Sequence, residues 1–135
     1  MARLPRRLLL APVLAAAAVG LGACGEEGVQ ISQNNPDYEG AQIFNEVCAG
    51  CHTLSYAGAE GSATDVGSRE IKDGPNFDDR KETVESVLYA IRNGGFSSGP
   101  MPQNLVTGEE ARKVAEFVAR YSGRGAEQPS QPTGW

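Results

Sequence analysis

CAGCH, Cys48 to His52, limits what this chain can fold into more than any other stretch of it. Two cysteines three apart with a histidine directly behind them suit three chemistries: a redox dithiol, a zinc site, or the attachment of a haem. The rest of the sequence narrows the choice because it offers so few other ligands. His52 is the one histidine in 135 residues, methionine occurs only as Met1 and Met101, and the third cysteine is Cys24. A thioredoxin-like dithiol needs a strand ahead of it and a mixed sheet around it, and no strand-like alternation precedes Cys48. A structural zinc needs four ligands. Three are at hand, and the fourth would have to be the distant Cys24.

What remains is C-x-x-C-H, the c-type haem attachment signature. Cys48 and Cys51 share one face of a helical turn, so each thiol can add across one haem vinyl group. His52 then presents its imidazole to the iron, and its other ring nitrogen needs an acceptor to fix the tautomer. With His52 used, a second histidine ligand is excluded by counting. Met101 is the only internal methionine and stands in SSGPMPQN, between Pro100 and Pro102. Flanking prolines bias that segment to an extended, low-entropy path, which suits holding one thioether against a metal. The competing reading is a flexible core filler, for which a loop rich in Gly and Pro is a poor setting.

The chain opens like an exported protein. Arg3, Arg6 and Arg7 precede an apolar run from Leu8 to about Gly20. That run is shorter than the ~20 apolar residues a stable membrane span needs. LGAC, Leu21 to Cys24, resembles the lipobox of bacterial lipoproteins, whose cysteine receives lipid and becomes the mature N-terminus. Gly22 is unusual in such a motif, and ordinary secretory cleavage is the alternative. On this reading 1–23 is a signal peptide and 24–34 a lipidated tether, which as flexible coil reaches roughly 18 Å. Losing the signal's three arginines takes the basic residues from twelve to nine, against seventeen acidic ones, a formal charge of −8. That balance disfavours nucleic acid and suits encounters with basic protein surfaces, or merely aids solubility.

Three helices are expected between the tails, and the fold class is all-α. The first begins near Asn35, with Pro36 as its first helical residue and Ala41, Ile43, Phe44 and Val47 as its apolar face. The second carries Val84, Val87, Leu88 and Ile91 at i, i+3, i+4, i+7 and stops at Asn93-Gly94-Gly95. The third opens at TGEE, where Thr107 and Glu110 suit a capping box, and buries Ala111, Val114, Phe117, Val118 and Tyr121. The segment 53–74 is long and aperiodic, and a large prosthetic group would give Leu54, Tyr56 and Val66 something to pack against. SGRGAEQPSQPTGW, 122–135, has the composition of a disordered tail, and Trp135 at its end has no evident role.

With these motifs assembled, 35–121 resembles a mono-haem class I c-type cytochrome. GAQIFNEVCAGCH, Gly40 to His52, resembles that family's first helix running into its haem site. GPNF, Gly74 to Phe77, resembles the family's G-P-N-L, whose proline carbonyl accepts the proximal histidine's N–H. GPMP, Gly99 to Pro102, resembles the axial methionine loop, and VAEFV, Val114 to Val118, the last helix. The resemblance implies one covalent haem c on Cys48 and Cys51, His52 as proximal and Met101 as distal iron ligand, and Pro75 bonded to His52. It also implies Gly40 and Phe44 crossing Val114 and Phe117. Two departures stand out: 53–74 is longer than in compact members, and QNLVTGEE lacks the aromatic common after the methionine.

A haem with both axial positions filled by protein exchanges electrons and little else, so the expected role is a one-electron carrier and not an enzyme. A monomer is expected, tethered to the outer face of a bacterial membrane. The resemblance implies a quinol-oxidising complex as donor and a terminal oxidase as acceptor. Two alternatives stay open: a fixed cytochrome subunit of a membrane oxidoreductase, and a gas-binding or peroxide-reacting haem protein if Met101 is not a ligand.

Overall fold

The computed structural model describes residues 28–63, 65–96 and 99–125. The signal segment, Cys24, most of the C-terminal tail and Trp135 lie outside the described residues. Three helices form the frame: α1 (Tyr38–Val47), α2 (Val84–Asn93) and α3 (Gly108–Tyr121). The chain is not purely helical. Thr53–Leu54 (β1) and Ala59–Glu60 (β2) pair antiparallel, with Leu54 opposite Ala59. Short 3-10 turns at Ser55–Ala57 and Val66–Ser68 fill out the long connection.

α1 begins later than its proline suggests. The Asn35 side chain accepts from the Asp37 N–H at 2.9 Å, and the Tyr38 N–H donates to the Asn35 carbonyl at 3.0 Å. Pro36 therefore sits in a turn, and the first helical residue is Tyr38. A capping box does occur, but on α2. Thr83 Oγ1 accepts from the Ser86 N–H, and Ser86 Oγ accepts from the Thr83 N–H. Thr107 stands at the N-cap position of α3 with an extended backbone and makes no side-chain cap.

The core is the crossing of α1 and α3. Ala41 and Phe44 on one side and Val114, Phe117, Val118 and Tyr121 on the other are buried, and Phe44 meets Phe117 edge-on at 6.1 Å and 63°. The backbones approach so closely at Gly40 that an added Cβ would run into the Lys113 carbonyl and lie 2.9 Å from Phe117 Cβ. α2 closes the remaining side with Val87 and Ile91 buried.

The first part of the connection, 53–60, folds on the protein itself. Leu54 is fully buried, and Tyr56 is buried with its ring 4.9 Å from that of Tyr121. Neither lines the cleft described below, which corrects the expectation that both pack on a prosthetic group. The packed fold also extends beyond both expected boundaries. Ile31 is buried and the Gln30 N–H donates to the Tyr56 carbonyl, so part of the expected tether belongs to the domain. Ser122 is buried, its Oγ accepting from the Glu82 N–H, while the Gly123 and Gly125 N–H groups bond the carbonyls of Phe77 and Asp78. Ser122, Gly123 and Gly125 thus form a C-terminal clasp where a disordered tail was expected to begin.

Candidate haem site

α1 runs into the CAGCH motif, Cys48 to His52. Cys48 and Ala49 N–H groups both donate to the Phe44 carbonyl, and Cys51 and His52 N–H groups donate to the Cys48 carbonyl at 3.1 and 3.0 Å. This winds 48–52 into a tight helical turn and brings Cys48, Cys51 and His52 to one side of it. All three line a cleft of about 360 Å³, open along part of its edge, which Met101 lines as well. Phe44, Val87, Ile91, Val114 and Val118 line it too, so the walls are mostly apolar. Val47, Phe96 and Leu105 stay 38%, 64% and 43% exposed at its mouth.

The imidazole is closely held. His52 Nδ1 lies 3.1 Å from the Pro75 carbonyl oxygen. A Cβ on Gly74 would run into the His52 ring, so only glycine lets the backbone pass there. The Gly74 N–H donates to the Cys51 carbonyl at 2.7 Å, tying this strand of chain to the motif. Burial holds His52 below the usual imidazole pKa, while the Pro75 carbonyl and the Glu82 carboxylate act in the other direction. As a metal ligand the ring must be neutral, and its desolvated surroundings favour that form. With Nδ1 committed to Pro75, Nε2 is the nitrogen that would hold a metal.

The Met101 loop is positioned by the end of α2. Gly94 caps that helix in the left-handed conformation (φ +73), and a Cβ there would lie 2.7 Å from the Met101 carbonyl. The Asn104 N–H donates to the Ile91 carbonyl at 2.7 Å, and the Gln103 side chain to the Asn93 carbonyl at 3.3 Å. Gly95 lies beside the thioether: a Cβ there would be 3.9 Å from the sulfur. In the sequence the glycines marked a helix stop, and nothing there singled out Gln103 or Asn104.

Glu82 was also not legible from sequence. It lines the cleft with only 8% of its side chain exposed, accepting from Ser86 Oγ and paired with Arg80 Nε, both at 2.6 Å. Of the four basic residues of 69–81, Arg69, Lys72 and Arg80 line the cleft, whereas Lys81 reaches away to the Ala119 carbonyl.

These observations test which chemistry the motif serves. Reactive dithiols depend on a lowered thiol pKa, whereas burial, reinforced by Cys51, pushes the free Cys48 thiol up to about 12. Among the described residues no three His, Cys, Asp or Glu side chains form a metal-holding group of the zinc kind. An apolar cleft with two thiols, an imidazole and a thioether on its walls fits a covalently attached haem. Replacing Gly74 by alanine is expected to displace the imidazole and lower haem-loaded protein per chain by about tenfold, as losing a ligand-orienting contact does. The ratio of haem to protein absorbance measures this, and a wild-type ratio would refute it.

Fold and cleft together define a mono-haem class I c-type cytochrome. A family model described as "Cytochrome C oxidase, cbb3-type, subunit III" matches residues 35–118, and the chain belongs to that family. Among solved structures it is similar to the c-type cytochrome SorU from Sinorhizobium meliloti, at 37% identity and a TM-score of 0.51. That match covers 66% of this chain and 93% of the other. A search of the curated proteins finds no match. Membership brings with it covalently bound haem c and haem-based electron transfer. Among the described residues no helix is long and apolar enough to cross a membrane.

Proposed function

We propose that this chain is a one-electron carrier whose haem is bonded through Cys48 and Cys51 and ligated by His52 and Met101. The observation that carries the reading is that the only histidine and the only internal methionine line one apolar cleft together with both motif cysteines. The bound haem supplies the one-electron chemistry, Fe(II) against Fe(III). The chain's part would be to hold the iron through His52 and Met101, leaving no open site for oxygen or peroxide and keeping the ligand set unchanged between redox states. Pro75 fixes the tautomer of His52, and the glycine-capped end of α2 holds the Met101 loop in place. The soft thioether and the apolar walls favour the reduced state, and the buried Glu82 carboxylate opposes them. The test is optical: the ferric wild-type protein shows a sulfur-to-iron charge-transfer absorption. Its absence at neutral pH sinks the ligand assignment.

The same reading places the domain on the extracytoplasmic face of a bacterial membrane, held by lipid on Cys24, as a monomer that does not bind nucleic acid. Its partners are a quinol-oxidising complex and a terminal oxidase. The exposed Val47, Phe96 and Leu105 at the cleft mouth form a small apolar contact, suited to a weak and quickly released interface. The mature charge of −8 steers the chain toward basic partner surfaces. Transfer rates are therefore expected to fall roughly tenfold or more on going from low salt to about 0.5 M, as screening shortens the reach of the field. A salt-independent rate removes the steering.

The family description, which names an oxidase subunit, favours one second reading, a fixed cytochrome subunit of a membrane oxidoreductase. Purification from detergent-solubilised membranes separates the two. A stoichiometric complex that survives high salt supports the subunit, and release as a single chain supports the carrier.

A further inference from the structure

Three close neighbours hold the imidazole of His52, one of them an aromatic ring, while Phe44 stands further off at 6.5 Å and tilted by 55°. Pro75 meets Nδ1 in the ring plane, and Gly74 passes over a ring face near Cε1, where a Cβ would run into Cε1 and both nitrogens. The carbonyl contact alone leaves the ring free to pivot about the Nδ1···O line, and the glycine, with no side chain, offers that face little surface. The third neighbour is Phe77, whose ring lies over the imidazole with centroids 4.8 Å apart and planes within 11°. A stacked face removes the pivot, because turning the imidazole would drive its edge into the phenyl ring.

Phe77 is itself fixed at both backbone groups. Its N–H donates to the Thr53 carbonyl and its carbonyl accepts from the Gly123 N–H, each at 2.8 Å. Its ring packs edge-on against Phe44 at 6.0 Å and 66°. Gly123 adopts φ +70, and a Cβ there would come within 3.0 to 3.2 Å of Lys81. The C-terminal clasp thus fastens the residue that faces the imidazole. The aliphatic residue that the G-P-N-L resemblance would place at 77 has no flat face to offer.

The geometry points to Phe77 as a positioning residue that sets the rotational plane of the His52 imidazole, held in place through its backbone by the clasp at Gly123. The inference rests on the reading of His52 as proximal ligand. The plane of an axial imidazole decides which iron d orbitals it overlaps. It therefore governs the g-anisotropy of the ferric haem and the uneven spread of unpaired spin over the haem methyl groups. Bond strength and haem retention depend on it far less.

The test compares the haem-loaded wild type with Phe77→Leu, Phe77→Tyr and Gly123→Ala, by proton NMR of the ferric haem methyls and by electron paramagnetic resonance. Phe77→Leu is expected to keep its covalent haem and to shift the methyl spread and the g-values, while Phe77→Tyr, which keeps the ring face, matches wild type. Gly123→Ala shifts them in the same sense and by less. A wild-type methyl pattern in Phe77→Leu overturns the inference, as does a shift of equal size in Phe77→Tyr. If the leucine variant does not load haem, Phe77→Met gives the same comparison, filling similar volume without a ring. A wild-type protein whose ferric haem shows no imidazole ligation sinks the reading underneath. Normal ligation with unchanged methyl shifts in the variants sinks this inference alone.

Discussion

Replacing Met101 by alanine is expected to abolish the sulfur-to-iron charge transfer, open the reduced protein to carbon monoxide and lower the reduction potential. Cys48 and Cys51 stay in place, so the covalent haem remains and the change is one of ligation only. No other histidine or internal methionine exists to take the vacated position. Loss of the soft ligand removes one of the two influences that favour Fe(II), and the potential falls by a sizeable part of the ~0.8 V over which axial ligands set it. Met101 is part-buried against the core, so stability drops too, by about 2 kcal/mol, the low end of the range for truncating a buried methionine. Optical spectra under carbon monoxide and a potentiometric titration decide the matter. A variant that still excludes carbon monoxide and keeps its potential removes Met101 from the iron.

Gly40→Ala is expected to destabilise the whole domain, although alanine is the better helix former. Propensity alone favours the change by about 1 kcal/mol. The new methyl group, however, runs into the Lys113 carbonyl and approaches Phe117 Cβ. The carbonyl is helix backbone and cannot rotate aside, so α1 and α3 must move apart and loosen the contact between Phe44 and Phe117. Overpacking of a core costs roughly 1–3 kcal/mol, and the loss of helix contact adds to it. We expect a net loss of about 2 kcal/mol, which in a domain of this size lowers the thermal midpoint by on the order of 10 °C. Gly28→Ala is the control, since a Cβ there meets nothing within 4 Å. A midpoint for Gly40→Ala equal to that of the control would show that the crossing is looser than described.

The helices were legible because their periodicity is strong: every apolar position named for α3 is buried, and Val87 and Ile91 of α2 are buried as well. The histidine and the methionine that line the cleft together stood out because they are scarce, one histidine and one internal methionine in the whole chain. Val47 shows where an apolar pattern misleads. It lies on the expected face of α1 yet stays 38% exposed, because that end of the face looks into the cleft and not into the core. The connection 53–74 was not legible at all. Its two-residue strands are too short to alternate, and they are held by pairings such as the bridge from Thr53 to Asn76. The side chains of Thr53 and Ser62 add to these by bonding each other's backbone N–H groups. Capping failed in a similar way. The Thr and Glu of TGEE match the pattern, but Thr107 makes no cap, while Thr83 and Ser86 form one with serine at the third position. The stack of Phe77 on His52 joins residues 25 apart in sequence and leaves no trace in local pattern.

The anchoring of Gln30 and Ile31 to the body of the domain bears on how it would stand at a bilayer. If Cys24 carries lipid, only about five residues separate the acyl chains from the first fixed point. Fully stretched, these span at most roughly 18 Å, and as relaxed coil only about 12 Å. So short a leash would keep the protein body near the headgroups and limit how far it could roll, so that the face the cleft showed to neighbours along the membrane would be partly chosen by the covalent chain itself.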